Sequence, residues 1–328
     1  MVQGIIMDLI IQGLIFPGLF FIIFLIIFTQ WIYRKVAARI QYRRGPCYTG
    51  PLGFLQPFAD FMKLLMKEDV VTKYSVKHIP IVLASIGLGS LIAILLLTPL
   101  SLRPFYGDYD VIILFYLGLW SSFAILFIGL ATPNPYTSLG VGRYMALLVS
   151  SEPSFIASFI VPVIIASRFF NVNYSFYKAS ILSHRLWTTD PFSTISMILA
   201  AVAGFIALMG ILEIRPFDFP EAEGEIYWGI FTEYGGPRLA LGFFILFTER
   251  IIFPLIYVML FLGGSWPVDI TMNYWAGFLI IFTKFILLFI LLTIIDNVMP
   301  RLRPDQGVRI LWKYTLTLSL IALIISLI

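Results

Sequence analysis

Stretches of about 20 consecutive apolar residues recur along this chain of 328 residues and leave no room for a large soluble domain. Each is long enough to cross the hydrocarbon layer of a membrane as a helix. The composition agrees, since 60% of the residues are hydrophobic, 12% are charged and the mean hydropathy is +0.95. We therefore predict an all-α polytopic membrane protein with a single transmembrane domain, 1–328. The eight predicted spans are roughly 9–33, 79–99, 111–131, 137–167, 193–212, 239–262, 272–296 and 308–328.

The basic residues predict the orientation of these spans. With eight spans both termini share one side, and the loops at 34–78, 132–136, 213–238 and 297–313 lie on the other. Those loops hold 15 of the 22 lysines and arginines, whereas the opposite loops hold 4. The positive-inside rule places the basic loops in the cytoplasm and both termini outside, with the chain in the plasma membrane. The net charge of +4 is mostly this topology signal, and we do not expect nucleic-acid binding.

The first cytoplasmic loop contains an amphipathic pattern from 54 to 68, after Gly-Pro pairs that break the chain. One side of it is apolar, while Asp60, Lys63 and Lys67 lie elsewhere. The pattern predicts a helix in the plane of the membrane surface, and a helix that packs on a partner subunit is equally compatible. The apolar side consists of Phe54, Leu55, Phe58, Phe61, Met62 and Leu65.

One loop gathers six carboxylates between residues 212 and 234, although the chain otherwise avoids charge. Two prolines constrain its start, and six aromatic residues are interleaved with the acids. A solvated acidic loop is one interpretation, but the aromatics favour a loop folded against membrane helices or a partner. The spacing does not match a calcium-binding loop. The carboxylates are Glu213, Asp218, Glu221, Glu223, Glu225 and Glu233.

Several charged residues fall inside the predicted spans, where an ionisable group costs several kcal/mol unless it finds a partner or water. They are either structural ion pairs that set helix register or a lateral chain of protonatable groups. The second interpretation gains support because the row continues into the acidic loop. Closely spaced carboxylates cannot all ionise, so some can exchange protons near neutral pH. These residues are Arg143, Glu152, Glu249, Arg250, Lys284 and Asp296.

The chain offers few metal ligands. Cys47 is the only cysteine, so this chain alone cannot ligate an iron–sulfur cluster. His78 and His184 lie far apart in the sequence and predict neither a haem nor a zinc site. We therefore expect no catalytic residue, metal or cofactor in this chain alone.

Motifs between residues 34 and 313 resemble, in order, those of the H subunit of respiratory complex I, which mitochondria carry as NADH dehydrogenase subunit one. The most extensive block lies in the first loop. The matching residues are Arg34, Lys35, Arg39, Gln41, Arg43, Gly45-Pro46, Gly50-Pro51, Leu55-Gln56-Pro57, Asp60, Lys63, Leu139-Gly140, Arg143, Ser151-Glu152, Pro216-Phe217-Asp218, Glu221 to Glu225, Thr232-Glu233-Tyr234, Pro300-Arg301-Leu302-Arg303, Asp305-Gln306 and Trp312-Lys313.

The resemblance implies a subunit that anchors a peripheral redox arm and couples it to ion pumping. By this match the coupling carboxylates would be Glu152, Asp218, Glu221, Glu223, Glu225 and Glu233. The charged residues of the spans would extend their path through Arg143, Glu249, Arg250 and Lys284. The peripheral arm would dock on the basic loops. The docking residues would be Arg34, Lys35, Arg39, Arg43, Arg44, Asp60, Lys63, Arg301 and Arg303.

Three departures from the complex I pattern fall where a quinone chamber would lie. Tyr33 stands where a Glu normally precedes the Arg-Lys pair, and Asp296 stands at the position of an Arg. Arg215 directly precedes Pro216, so that neither it nor Glu213 aligns with the usual charges. These departures resemble the related subunit of archaeal ferredoxin-linked membrane-bound hydrogenases and sulfane reductases.

The favoured hypothesis is therefore a non-redox anchor and coupling subunit of such a ferredoxin-linked complex, linking electron transfer to H⁺ or Na⁺ translocation. Its partners would be soluble iron–sulfur and hydrogenase-like subunits, which hold the iron–sulfur clusters and a NiFe centre, and antiporter-like membrane subunits in the lipid bilayer. The alternative is the quinone-site H subunit of a complex I relative. A secondary transporter usually shows inverted repeats, which are missing here. A structural scaffold with inert ion pairs is the remaining alternative.

Overall fold

The computed structural model describes residues 11–328, except for the side chain of Glu223, and each predicted span contains a long helix. Residues 9 and 10 of the first predicted span lie outside the described part. The helices in chain order are α1 Leu19–Ile40, α2 Gln56–Met66, α3 Ile79–Leu97, α4 Asp110–Leu130, α5 Pro135–Phe170, α6 Phe176–Leu186, α7 Pro191–Ile211, α8 Glu223–Ile226, α9 Gly236–Phe261, α10 Tyr274–Val298 and α11 Pro304–Leu327.

Eight helices in the described residues are long and apolar enough to cross a membrane, which confirms the predicted number of spans. They are α1 (with the turn that precedes it from residue 11), α3, α4, α5, α7, α9, α10 and α11. The fourth is longer than predicted, since its 36 residues rise about 54 Å, well beyond the roughly 30 Å of a hydrocarbon layer. The chain is therefore a multi-pass membrane protein.

The two helices that carry the predicted glutamates are the innermost of the bundle. In their most apolar stretches, 78% of the residues of α9 and 72% of those of α5 are buried, against 28% for α11. Aromatic side chains join these two helices, with Phe155 of α5 packed edge-on against Phe253 of α9 at 5.5 Å. Glu152 of α5 and Glu249 of α9 therefore lie inside protein, away from lipid.

The predicted amphipathic helix forms as α2, over Gln56–Met66. Phe61 of α2 packs on Phe244 of α9 with ring centroids 5.7 Å apart, while Leu65 and Lys63 point outward and are exposed. The apolar side of α2 is thus partly used within this chain.

A second short helix, α6, was not predicted. It lies in the loop between α5 and α7, and Asp110 at the start of α4 fixes its beginning. The Asp110 carboxylate is buried and accepts hydrogen bonds from the hydroxyl of Ser175 (2.9 Å) and the backbone N–H of Phe176. Because α6 holds three basic or titratable side chains in eleven residues, it lacks the long apolar run that identified the spans.

Four loops interlock on one side of the bundle, which we call the basic face. They are the loops 41–78, 131–134, 212–235 and 299–303. Two backbone hydrogen bonds and two ion pairs join these loops and the start of α9: Val76 N to Ala131 O (3.1 Å), Leu302 N to Pro216 O (3.0 Å), Arg238 to Asp69 (2.9 Å) and Arg301 to Asp218 (2.6 Å).

Candidate functional site: a row of buried carboxylates

The acidic loop, residues 212–235, is folded into the protein. The side chains of Phe217, Phe219 and Phe231 are buried, as predicted from the interleaved aromatics, although Tyr227 and Trp228 are exposed. A solvated acidic loop is therefore the wrong interpretation for most of this segment.

A close backbone approach holds the loop against α5. A side chain carbon added to Gly140 of α5 would lie 2.7 Å from the backbone of Gly229 in the loop. Gly229 itself has a φ of +51°, and a side chain there would lie 2.1 Å from the carbonyl oxygen of Pro220. Only glycine fits both positions, so the loop and α5 have a fixed relationship.

A row of carboxylates leads from the loop into the bundle, and its members are Asp218, Glu221, Glu213, Glu249 and Glu152. Asp218 lies at the edge of the row, between two arginines. Arg301 Nη2 binds its Oδ2 at 2.6 Å, and Arg215 Nε lies 3.6 Å from the same oxygen. Burial raises the pKa of Asp218, and the hydrogen bond and charge of Arg301 partly offset that rise. The arginines therefore favour the charged form in a place where desolvation opposes it.

Glu213 is the most buried carboxylate of the loop, with 3% of its surface exposed. Burial raises its pKa well above the usual value, the negative charge of Glu221 raises it further, and Arg250 opposes both. Since its backbone has a φ of +51°, the chain turns sharply here to place the carboxyl group inside the protein. Glu213 is therefore a group that favours its protonated form.

Glu249 of α9 and Glu152 of α5 continue the row into the bundle. Their charges interact, and both side chains are buried. The hydroxyl of Ser122 in α4 donates to Glu152 Oε1 at 3.1 Å, while Glu249 Oε1 has no hydrogen-bond partner among the described residues. Two buried carboxylates cannot both stay charged without compensation. One of them must bind a proton, or water or a mobile cationic side chain must reach the pair.

Arg250 is the positive centre of the row. Its guanidinium interacts with Glu221 and Glu213 of the loop and with Asp296 and Tyr33 on the other side. A cavity of about 20 Å³ is lined by Arg250, Tyr33 and Asp296, together with Gln30 and Thr293. It has room for about one water molecule.

The three departures from the complex I pattern meet at this cavity. The Tyr33 hydroxyl donates to Asp296 Oδ2 at 2.7 Å, and the backbone N–H of Arg215 donates to Asp296 Oδ1 at 3.2 Å. They are thus one local rearrangement instead of three independent changes.

Tyr144 of α5 also belongs to the row, although no sequence pattern selected it. Its side chain is 1% exposed, and its hydroxyl interacts electrostatically with Glu249, Glu213 and Glu152. A tyrosine in an apolar helix does not stand out in a sequence. The sequence did contain one related signal, the polar pair Ser121-Ser122 in the middle of the apolar α4. Such a pair indicates that polar groups lie near the middle of the bundle.

Two residues predicted for the path lie outside the row. Arg143 points to the basic face, where Nη1 binds Glu225 Oε2 at 2.5 Å. Lys284 of α10 lies beside the C-terminal end of α9. Its Nζ donates there to the carbonyls of Leu262, Gly264 and Trp266 at 2.8–3.0 Å. Leu262 is 13 residues, or about 20 Å, along α9 from Glu249, so the structure does not bring Lys284 together with Arg250.

The other loop carboxylates have separate positions. The amide of Asn134, which caps α5, donates to Glu233 Oε1, so Glu233 joins the loop to the start of α5. Glu225 is exposed beside Arg143. The side chain of Glu223 lies outside the described residues.

The residues predicted to dock a partner divide into three groups. Arg34 and Asp60 bind each other at 2.5 Å, and Arg301 is held by Asp218, so these three have partners within this chain. Lys35 is half-buried beside Cys47. The remaining residues are exposed on the basic face: Arg39, Arg43, Arg44, Lys63 and Arg303.

An apolar cavity of about 170 Å³ opens between α1, α2 and α9. Ile26, Phe61 and Phe244 contribute to its walls, and the Arg34–Asp60 pair lies at its rim. Within the described residues no group of three or more His, Cys, Asp or Glu side chains could hold a metal ion.

Comparisons with known proteins agree with the resemblance. A family model described as NADH dehydrogenase matches residues 14–327. The H subunit of the NADH-quinone oxidoreductase of Pelagibacter ubique is 32% identical over 299 residues, which cover 88% of this chain and 86% of that protein. The corresponding protein of Thermomicrobium roseum is 31% identical over 308 residues, which cover 90% of this chain and 89% of that protein.

The fold has a counterpart among solved structures. A chain of the membrane-bound sulfane sulfur reductase, described as an archaeal respiratory membrane complex, superposes with a TM-score of 0.78. The match covers 98% of this chain and 99% of that one at 23% sequence identity, and it establishes a shared fold.

Proposed function

This chain belongs to the NADH dehydrogenase family, that of the complex I H subunits, and from that premise we propose that it is a membrane anchor and coupling subunit of a respiratory complex. It carries no redox centre of its own in this proposal. It links electron transfer in a peripheral arm to H⁺ or Na⁺ translocation in the membrane arm.

The observation that carries the proposal is the continuity of the buried row. Asp218, Glu221 and Glu213 lie in a loop on the basic face, Arg250 binds them electrostatically, and Glu249 and Glu152 extend the row into the two innermost helices. A change in charge beside the loop therefore shifts the protonation of groups inside the bundle.

The partners follow from this arrangement. The exposed arginines and lysine of the basic face would dock soluble iron–sulfur and hydrogenase-like subunits on the cytoplasmic side of the plasma membrane, with both termini of this chain outside. Iron–sulfur clusters and a NiFe centre would belong to those subunits. Antiporter-like subunits in the bilayer would receive the signal from Glu152 and Glu249.

The contact between Tyr33, Arg215 and Asp296 supports the ferredoxin-linked type of complex over the quinone-linked type. In the complex I pattern, positions 33 and 296 hold a Glu and an Arg. Here the pair is a phenol and a carboxylate, and Arg250 supplies the compensating positive charge. A concerted exchange at this cavity fits a complex of the membrane-bound hydrogenase or sulfane reductase type, which needs no quinone there.

The test uses the native complex in membrane vesicles, with reduced ferredoxin as donor. Glu152→Gln and Glu249→Gln should leave electron transfer to an artificial acceptor close to the unchanged rate and greatly reduce ion translocation per electron. Glu68→Gln, which alters an exposed carboxylate of the basic face, is the matched control. Unchanged translocation in both row variants would overturn the proposed coupling role.

The quinone-site subunit of a complex I relative is the second candidate, and the cavity between α1, α2 and α9 favours it. Its apolar walls and charged rim suit an amphipathic ligand with a polar head. Quinone co-purifying with the complex, together with quinone-dependent turnover, would select this candidate. Hydrogen evolution or polysulfide reduction with reduced ferredoxin would select the first.

A further inference from the structure

We propose that Tyr144 is the proton-transfer link between the acidic loop and the glutamates of the spans, with Ser122 as the next group toward Glu152. This inference rests on the proposed coupling function and names the residue that joins its two halves. None of the motifs that carry the family resemblance includes either residue.

The position of Tyr144 separates it from the other buried tyrosines. Its hydroxyl interacts with a loop carboxylate, Glu213, and with two carboxylates of the spans, Glu249 and Glu152. It makes no hydrogen bond of ordinary geometry within the described residues, although its side chain is 1% exposed. A buried hydroxyl without a regular hydrogen bond costs free energy, and three carboxylates act on this one, so its place in the bundle has a reason beyond packing.

Ser122 supplies the continuation from this hydroxyl. Ser122 interacts with the Tyr144 hydroxyl, and its own hydroxyl donates to Glu152 Oε1 at 3.1 Å. Ser122 therefore connects the Tyr144 hydroxyl with Glu152, and Glu213 is the loop carboxyl group whose charge acts on the same hydroxyl.

The transfer balances in protons and electrons. The protonated Glu213 gives its proton to a lone pair of the Tyr144 oxygen, and Tyr144 gives its own hydroxyl proton to Ser122. Ser122 in turn gives its proton to the Glu152 carboxylate. One O–H bond forms and one breaks at each hydroxyl, no redox change occurs, and the hydroxyls then rotate back to their starting positions.

Tyr144→Phe tests the link because it removes one oxygen and keeps the ring that fills the space. Tyr257→Phe is the matched control, since Tyr257 is also buried in a span but donates to the backbone carbonyl of Ala201 (3.1 Å). In the intact complex, Tyr144→Phe should lower the rate of proton translocation by about 100-fold or more, the scale of a lost proton-transfer group. Electron transfer to an artificial acceptor should stay unchanged, and Tyr257→Phe should pump normally.

Ser122→Ala gives an independent measurement if the Tyr144 variant fails to assemble. It should also uncouple pumping, and a solvent deuterium isotope effect on pumping should change in both variants. Normal pumping in Tyr144→Phe, or in Ser122→Ala, overturns the link. If Glu152→Gln and Glu249→Gln uncouple while Tyr144→Phe does not, only this inference fails. If none of the four variants uncouples, the proposed function fails with it.

Discussion

The hydroxyl of Tyr33 donates to the carboxylate of Asp296, 263 residues later in the chain, over 2.7 Å. Both positions depart from the complex I pattern, which has a Glu at the first and an Arg at the second. An opposite-charge pair has thus been replaced by a neutral donor with an acceptor. The charge of Asp296 is balanced by Arg250, which interacts with both members of the pair.

Because the two side chains are in contact, substitutions at positions 33 and 296 should have non-additive effects on stability. Asp296→Arg alone should destabilise the folded protein by about 2 kcal/mol, because the new guanidinium faces Arg250 across a short distance. Tyr33→Glu together with Asp296→Arg should recover part of that loss. A double-mutant cycle on the melting temperature of the detergent-solubilised complex measures the coupling. Additive losses in the double variant would contradict a direct pair.

Lys284 should be structural, although its sequence position suggested a role in the relay. Its ammonium donates to three carbonyls where α9 ends, so it satisfies backbone acceptors at membrane depth. Lys284→Met should lower the melting temperature, while ions translocated per electron stay unchanged in the complex that remains assembled. Lys77→Met, at an exposed position, is the control. Uncoupling without loss of stability would return Lys284 to the path.

Glu213 should make stability depend on pH. Because its pKa is raised in the folded state, the folded protein binds more protons than the unfolded chain above the usual value of 4.5. Its contribution to the free energy of unfolding is therefore present at lower pH and is lost as pH rises through the folded-state pKa.

Glu213→Gln should flatten this dependence, because glutamine resembles the protonated carboxyl and does not titrate. Melting temperatures of the wild type and the variant, measured between about pH 5 and pH 8, give the difference in slope. Glu68→Gln should leave the wild-type slope unchanged. A variant with the same slope as the wild type would show that Glu213 does not titrate with folding.

Asp69 should be required for the basic face to form. Arg238 is 5% exposed and its Nη2 binds Asp69 Oδ2 at 2.9 Å, so removal of the carboxylate leaves a buried cation unpaired. Asp69→Asn should destabilise the protein by about 3 kcal/mol. Asp108→Asn, at an exposed position of the opposite side, should have little effect. Equal melting temperatures for the two variants would argue against the pair.

The spans were predictable because the thickness of a bilayer fixes how many apolar residues a helix needs. The same argument could not find α6, whose Lys178, His184 and Arg185 interrupt the apolar pattern in a helix of 11 residues. The amphipathic α2 was recognised because its apolar residues follow helical spacing, although that spacing does not identify the surface it packs on.

The membership of the buried row was predictable only in part. Glu152, Glu249 and Arg250 were identified because a charge in a span is costly wherever it lies. Their neighbours depend on which helices pack together, and that is a property of the tertiary structure. Tyr144 was missed for this reason. The position of Lys284 away from the row could not be predicted either, because its partners are backbone carbonyls that every sequence contains.

The interlocked basic face has a consequence for biosynthesis. The loop that begins after α7 acquires its support from segments made earlier and later: Asp69 holds Arg238 beside it, whereas Pro216 and Asp218 need Leu302 and Arg301. During translation the basic face therefore stays incomplete until residue 302 has left the ribosome. In the proposed function, the face that docks a peripheral arm is then complete only in chains whose first seven spans have already been synthesised.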